Sequence, residues 1–506
     1  MANQPSKSMS QADLLRQWKL KRKPAAAGIP LRPAEAVLQP TSGQQRLWLL
    51  QELYPDNAFY QYGHRYHFSG PLEVPQLEES FRSVINRHEI LRTNYERPEE
   101  DLLLTVQPEV EFSLELVNLG QLSKEEQNAQ ANQVAAAFVR RPFNLAKDLL
   151  IRATLIKLSE QEHWLIVSLH HIIGDRASLL ILNQELYQTY TKLVAGETVS
   201  LPALPAQFPD YAHWKNQRPI PEKSLAYWKE LLADEPPIST LPFDRVRKSE
   251  ATYNGATIYQ ALSPEVSASV KALARELGTT ANAILLAAYQ ALHLRYGAPK
   301  DLTVGTPISI RDRKELETMI GFLNETVVLR HHFTDQTETF RQFATRVKGQ
   351  VEGALEHKEV SFDYLVNHLQ HRRIPGANPL FQNMFVYNTE APAAALPVGL
   401  KVKDEMMDLG VAKFDLTLFA TDQGDHFSLA LEYATDLFDE ATAQRMLQHQ
   451  APPFRRHLAR RIVQVCRQPC VRHLHQRLLQ RAAGRQALRT SSAKVRASTI
   501  ASMECP

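Results

Sequence analysis

The chain has 506 residues, a formal net charge of +3, 44% hydrophobic residues and 22% charged residues. This length exceeds that of one ordinary core and predicts two domains or lobes with extensions. No run approaches the roughly 20 apolar residues of a membrane span, and the N-terminus has no apolar secretion signal. We therefore expect a cytoplasmic protein with no membrane partner.

The basic residues are concentrated at the C-terminal end. Residues 450–506 hold eleven arginines, one lysine and one acidic residue, whereas the preceding residues are net acidic. We interpret this tail as out of frame or disordered, and we expect no nucleic-acid partner. The alternatives are a segment that binds a polyanion and a zinc site, although the cysteine and histidine spacing fits no common zinc pattern. All the cysteines of the chain lie here: Cys466, Cys470 and Cys505.

The N-terminal residues 1–37 are polar and form a leader. A short basic, helix-like stretch at 12–23 either docks an upstream partner protein or remains solvated. After it, Thr41 and Ser42 precede leucines at helical spacing, which predicts a capped amphipathic helix. Pro75 opens a second helix with an apolar face.

The central feature of the chain is a pair of histidines at the end of a predicted strand. The runs 150–158 and 164–170 predict a hairpin, and a helix is predicted over 177–193. Successive strand side chains face opposite sides, so His170 and His171 are not expected to share one site. One imidazole can serve as a general base while the other packs behind it. Asp175 either acts on that imidazole or holds the turn by pairing with a cation; a purely structural pair and a metal site are the alternatives.

The second half begins after a proline-rich stretch, 202–221, that predicts a crossing between two lobes. Helices are predicted over 264–277 and 280–296, with Gly278 and Thr279 as the C′ glycine and the N-cap between them. Strands are predicted over 301–310 and 427–435.

Seven segments in order resemble the motifs of condensation domains from nonribosomal peptide synthetases, over about residues 38–448. The histidine segment resembles HHxxxDG, with Arg176 in place of glycine. The long cationic side chain of Arg176 could narrow the path by which the acceptor substrate reaches the site, or change the charge of that path. The segment at 41–50 resembles S-x-A-Q-x-R-L-W-x-L with Gly43 in place of alanine, and 87–93 matches R-H-E-x-L-R-T. The segment at 320–330 resembles I-G-x-F-x-N-T-x-x-x-R, with Glu325 between Asn324 and Thr326. Segments 207–214, 357–363 and 378–385 resemble the fourth, sixth and seventh motifs.

This resemblance implies an α/β fold, an α+β sandwich of two chloramphenicol-acetyltransferase-like lobes. The lobes would be residues 38–222 and 223–449, set in a V with the active-site tunnel between them. The candidate catalytic residues are then His171, His170 and Asp175. His171 would take the proton of an attacking amine, or hold the amine and steady the tetrahedral intermediate.

Four supporting residues also follow from the resemblance. Asp175 paired with Arg92 would fix the loop, and Gly174 would permit a tight backbone there. Trp214 and Asn324 would shape the contact between the lobes.

The implied reaction is amide-bond formation between a carrier-bound acyl or peptidyl thioester and the amine of a carrier-bound aminoacyl thioester. The implied partners are donor and acceptor carrier proteins and adenylation modules, in cis or in trans. The substrates would travel on the phosphopantetheine of those carriers, and the chain itself would bind no cofactor and no metal. The alternative is a carrier-docking module that has lost catalysis, or a truncated fragment of a synthetase.

Overall fold

A computed structural model describes residues 28–238, 241–250, 252–333, 338–369, 375–390 and 396–450. The predicted docking helix at 12–23 and nearly all of the predicted basic tail, with its cysteines, lie outside the described residues.

The described chain alternates helices and strands in a mixed α/β architecture. The helices are α1 Ser42–Leu53, α2 Val74–Arg87, α3 Lys124–Arg140, α4 Arg176–Val194, α5 Phe208–Asn216, α6 Glu222–Leu231, α7 Pro264–Glu276, α8 Ala281–Arg295, α9 Lys314–Glu317, α10 Phe340–Glu356, α11 Phe362–Leu369 and α12 Glu440–Gln450. The strands are β1 Gln61–Ser69, β2 Thr93–Glu96, β3 Leu103–Val106, β4 Glu115–Asn118, β5 Ile151–Lys157, β6 Glu162–His170, β7 Gly255–Ala261, β8 Asp301–Ser309, β9 Asn324–His332, β10 Asn383–Thr389, β11 Lys401–Met406, β12 Leu416–Asp422 and β13 Phe427–Ala434.

The first sheet has the strand order β11-β1-β6-β5-β4. The predicted hairpin is confirmed as the antiparallel pair β5 and β6, and β1 pairs antiparallel with the other edge of β6. A central strand with both neighbours in place holds its end firmly, and β6 ends at His170. The first sheet therefore holds the start of the histidine segment in a fixed position.

The second sheet has the order β7-β13-β12-β10-β8-β9, with β10 parallel to both of its neighbours. Helix α8 is buried along nearly its whole length in the core beside this sheet. Thr280 caps α8 by accepting a hydrogen bond from the backbone N–H of Ala283, so the predicted N-cap at Thr279 is wrong by one residue. Gly278 has φ +58°, which agrees with its predicted place at C′.

Two segments of the second half belong to the core or sheet of the first half. Strand β11 pairs antiparallel with β1, from His64 opposite Met406 to Ser69 opposite Lys401. The segment after β8, which contains α9, packs Leu316, Ile320 and Leu323 into the first core. A division of the chain at residue 222/223 therefore does not separate the two structural units, because the chain crosses back.

The helix predicted after the histidine segment is observed as α4. Its residues Leu179, Leu182 and Leu186 recur at helical spacing and are all buried in the first core. Burying a leucine side chain contributes about 1.5–3 kcal/mol, so this face holds the helix start against the end of β6.

Candidate active site

The histidine segment turns sharply between β6 and α4. His170 ends the strand, and a single 3₁₀ turn, His171–Ile173, leads to Asp175, which caps α4. The backbone N–H of His171 donates to the carbonyl of Tyr60, at 2.7 Å, just before β1. The turn is therefore held by this hydrogen bond to the residue before β1 as well as by its covalent connection to β6.

His170 lies fully buried beneath this turn. Its Nδ1 accepts a hydrogen bond from the backbone N–H of Ile172 at 3.1 Å, so Nε2 carries the proton and donates to Oε1 of Gln51 at 3.3 Å. Burial is the main cause that lowers the pKa of His170 to about 3. With both nitrogens engaged, His170 supports the turn and presents no free nitrogen to a substrate.

His171 has the geometry of a neutral hydrogen-bond acceptor. Its Nδ1 lies 2.7 Å from the carbonyl oxygen of Gly174, which accepts and so fixes the proton on Nδ1. The lone pair of Nε2 then faces the hydroxyl of Tyr62 at 3.1 Å. Burial, followed by the charge of Lys413, lowers the pKa of His171 to about 3. The separation predicted for the two histidines is thus observed.

Aromatic side chains from both halves of the chain surround His171. Its ring packs at 4.7 Å from that of Tyr62, and Phe322 meets it edge-on at 5.0 Å. Gly43 makes room for Phe322, since a Cβ at position 43 would lie 2.6 Å from Cε1 of that ring. This contact accounts for glycine where the motif usually has alanine.

Asp175 is fully buried and accepts four hydrogen bonds. Its Oδ1 accepts from the backbone N–H and the hydroxyl of Ser178, both at 2.8 Å, and from Nη2 of Arg311 at 2.9 Å. Its Oδ2 accepts from the backbone N–H of Leu323 at 3.1 Å. Asp175 therefore holds the turn and joins the two halves of the chain, and these four hydrogen bonds do not involve His171.

The predicted partner of Asp175 is wrong. Arg92 instead donates from Nε to the carbonyl of Asn86 at 3.3 Å and from Nη1 to the carbonyl of Gln107. Arg92 therefore joins the end of α2 to the residue that follows β3. Its position in the 3₁₀ turn Glu89–Arg92 points the side chain toward these two carbonyls. Arg311 takes the place that the sequence assigned to Arg92.

Arg311 binds the loop that follows β8 as well as Asp175. Its Nη1 donates to the carbonyls of Leu316 and Met319. The hydroxyl of Ser178, whose proton goes to Asp175, accepts from the backbone N–H of Gly321 at 3.1 Å. The sequence signal for this role is weak: one arginine directly after a strand.

Gly174 contacts the candidate catalytic histidine, whereas Trp214 contacts two arginines. Gly174 is extended, with φ −170°, so its role is to offer its carbonyl to His171 and not to adopt a special conformation. The Trp214 ring lies beside the guanidinium groups of Arg218, at 4.5 Å, and Arg313, at 4.8 Å. Trp214 therefore contacts the second half of the chain through Arg313.

Asn324 begins β9 directly after Leu323, which donates to Asp175. The spacing from Gly321 to Thr326 and Arg330 assigns the asparagine position of the motif to Glu325, one residue beyond Asn324. Burial is the main cause that raises the pKa of Glu325 to about 7. This chain therefore has a half-buried carboxyl group where the motif has an amide.

Lys413 is a further charged group near the histidine. Its Nζ lies 4.7 Å from the centre of the Tyr60 ring, and burial lowers the pKa of this ammonium. Burial raises the pKa of Glu432 to about 7, and the charge of Lys413 opposes that rise. The sequence around Lys413 gave no signal that this side chain lies near His171.

Arg176 is the first residue of α4 and is half-buried. With burial, its charge lowers the pKa of His64 to about 4. A cation at a helix N-terminus opposes the helix dipole, so nothing in the helix itself requires arginine here.

Metal-binding clusters and membrane-spanning helices are both absent from the described residues. In the part of the chain that the structure describes, no three histidine, cysteine, aspartate or glutamate side chains are grouped to hold a metal ion. Within the same residues, no helix combines the length and apolarity needed to cross a bilayer.

Known proteins resemble this chain along most of its length. A family model described as "Condensation domain" matches residues 35–473. One component of the linear gramicidin synthase of Brevibacillus parabrevis is 36% identical over 416 residues, which are 81% of this chain and 5% of that protein. Tyrocidine synthase 2 of the same organism is 33% identical, over 84% of this chain and 12% of that protein. The chain thus spans a small part of these curated relatives.

Solved structures share the fold. The X-domain from teicoplanin biosynthesis is 26% identical with a TM-score of 0.76, covering 86% of this chain and 99% of that chain. The first condensation domain of the calcium-dependent antibiotic synthetase, in complex with a substrate analogue, is 18% identical with a TM-score of 0.72, covering 85% of this chain and 98% of that chain.

Proposed function

Because the chain belongs to the condensation-domain family of nonribosomal peptide synthetases, we propose that it joins two carrier-bound substrates through an amide bond. An acyl or peptidyl thioester on a donor carrier is attacked by the amine of an aminoacyl thioester on an acceptor carrier. The product remains on the acceptor carrier and is longer by one residue. The enzyme is thus an acyltransferase.

The observation that carries this proposal is the state of His171. The carbonyl of Gly174 holds the proton on Nδ1, so the Nε2 lone pair can accept a hydrogen bond from an incoming amine that displaces the Tyr62 hydroxyl. The lowered pKa keeps the ring neutral at physiological pH. A neutral imidazole accepts a hydrogen bond from the amine N–H and positions the nitrogen for attack.

The same low pKa indicates the order in which His171 performs the two roles that the sequence left open. An imidazole with a pKa of about 3 holds a full proton poorly while the site is empty. A negative charge that develops on the substrate oxygen favours the imidazolium, so the proton is best held while that charge exists. His171 therefore orients the amine first and takes its proton as the tetrahedral intermediate forms.

Asp175, Arg311 and His170 position this base without touching the substrate. Asp175 fixes the start of α4 and joins it to Leu323, next to the Phe322 ring that packs against His171. His170 stabilises the turn by accepting a hydrogen bond from the backbone N–H of Ile172. These three residues are positioning residues, and His171 is the catalytic residue.

The carriers and their loading enzymes follow from the same proposal. Both substrates arrive on phosphopantetheine arms of partner carrier proteins in the cytoplasm, and adenylation modules in cis or in trans load those carriers. A carrier-docking module that has lost catalysis is not favoured, because the orientation of His171 and the bonds of Asp175 are intact.

A loaded-carrier assay tests the proposal. Isolated carrier domains are loaded with octanoyl and L-phenylalanyl donors and with glycyl, L-leucyl and L-valyl acceptors, and intact-protein mass spectrometry follows the acceptor carrier. We expect an amide product with the wild-type chain and its loss in His171→Ala. The matched control is His332→Ala, an exposed histidine at the opposite end of β9 from Leu323, the residue that contacts Asp175. Equal turnover by His171→Ala and wild type would overturn the assignment.

A further inference from the structure

The hydroxyl of Tyr62 occupies the position that an amine must reach. It lies 3.1 Å from Nε2 of His171, and because Nδ1 carries the ring's proton, the phenol is the donor in this hydrogen bond. Tyr62 stands on β1 opposite Leu169 of β6, one residue from the end of that strand. The backbone on both sides of Tyr62 is tied down, since His171 donates to the Tyr60 carbonyl and Met407 donates to that of Gly63.

We propose that Tyr62 is a second catalytic residue, whose hydroxyl donates a hydrogen bond to the oxyanion of the tetrahedral intermediate. This inference rests on the proposed condensation activity and assigns a residue that the family motifs do not contain. When the amine occupies Nε2, the Tyr62 hydroxyl is released from the ring. The developing oxyanion is only two covalent bonds from the amine nitrogen, so it forms within reach of that hydroxyl.

The step balances with His171 and Tyr62 alone. The amine lone pair forms the C–N bond, the C=O π pair moves to oxygen, and an amine proton moves to Nε2. Collapse restores C=O, breaks the C–S bond, and the leaving thiolate takes the proton from His171. Tyr62 donates a hydrogen bond throughout and keeps its proton.

The surroundings of Tyr62 keep the hydroxyl in its donating form. Burial is the main cause that raises the pKa of this phenol, and the nearby Asp175 carboxylate adds to the rise. A donor fixed in place before the reaction stabilises an oxyanion without reorganisation, which is worth about 10²–10³-fold in kcat for one such donor. Tyr60, by contrast, lies 6.3 Å from the His171 ring and stacks under Lys413.

Tyr62→Phe removes the hydroxyl and keeps the ring. We expect kcat to fall about 10²–10³-fold with KM for the acceptor carrier nearly unchanged. Tyr66→Phe is the matched control, since Tyr66 faces the same side of β1 but donates to Asn183 at 2.8 Å. An unchanged or raised kcat in Tyr62→Phe would overturn the proposal, because it would show that the hydroxyl only blocks Nε2.

Replacement of Tyr62 by 3-fluorotyrosine tests the direction of the effect. A more acidic phenol is a stronger donor, so kcat rises if the hydroxyl serves the oxyanion and falls if it only caps His171 in the empty site. A fall relative to wild type would refute the proposal. The His171→Ala result is independent of both variants, so failure of the Tyr62 role remains distinguishable from failure of the condensation activity.

Discussion

The ion pair between Asp175 and Arg311 offers a direct test of which contacts hold the two halves together. Asp175 is fully buried and the Arg311 side chain is only 9% exposed, so each charge depends on the other. Removing one partner of such a pair leaves a buried charge uncompensated and costs about 3–5 kcal/mol. We expect Asp175→Ala to lower the free energy of unfolding by that amount, with loss of the α4 cap included.

A double-mutant cycle identifies the partner. Asp175→Asn combined with Arg311→Met should show a coupling energy of about 1–3 kcal/mol, because the two side chains share a hydrogen bond. Asp175→Asn combined with Arg92→Met should be additive within about 0.5 kcal/mol, since Arg92 binds the carbonyls of Asn86 and Gln107.

The assay is urea unfolding of the full chain, followed by tryptophan fluorescence and by far-ultraviolet circular dichroism, whose transitions must coincide. Lys223→Ala provides a control, because it breaks an exposed ion pair with Glu356 worth at most about 1 kcal/mol. Coupling of Asp175 to Arg92, with none to Arg311, would refute the reasoning.

Three further predictions concern the surroundings of the site and the stability of the fold. Gly43→Ala should lower kcat by up to about 100-fold by displacing Phe322 from His171, and adding Phe322→Leu should restore part of the loss; equal loss in the double variant would contradict this packing. Lys413→Met should raise the pKa of His171, because it removes a positive charge that lowers this pKa, and should move the acid limb of kcat/KM to higher pH. An acid limb at the same pH would show that the charge of Lys413 does not act on His171. Burial lowers the pKa of His331 to about 3 from 6.5, so its stabilising contribution is present above pH 6.5 and is lost towards pH 3. The free energy of unfolding of His331→Leu should therefore lack a slope of about 1.4 kcal/mol per pH unit between about pH 6 and 4, and an unchanged slope would refute the assignment.

Local patterns in the sequence were sufficient to predict the elements around the histidines. The β5–β6 hairpin, helix α4 and the separation of His170 from His171 all depend on neighbours within a few residues. The period of two along a strand fixes the faces of its side chains before any tertiary contact is known.

Contacts between distant segments were not predictable in the same way. Choosing Arg311 over Arg92 as the partner of Asp175 requires knowing that the loop after β8 packs into the first core. Tyr62 gave no signal because β1 is one of many alternating strands, and only its register beside β6 brings the hydroxyl to His171. Each of these contacts joins residues more than a hundred positions apart, on elements whose order in space the sequence does not encode locally.

The crossing of β11 into the first sheet has a consequence for building hybrid synthetases. In a chimera joined at residue 222/223, the strand that pairs with β1 would come from a different protein. Its side chains would not be matched to residues 64–69. Without any such strand, β1 would expose an unpaired edge, which is a template for aggregation. Chimeras should therefore exchange β1 and β11 together, so that a replaced N-terminal segment brings residues 401–406 from the same parent.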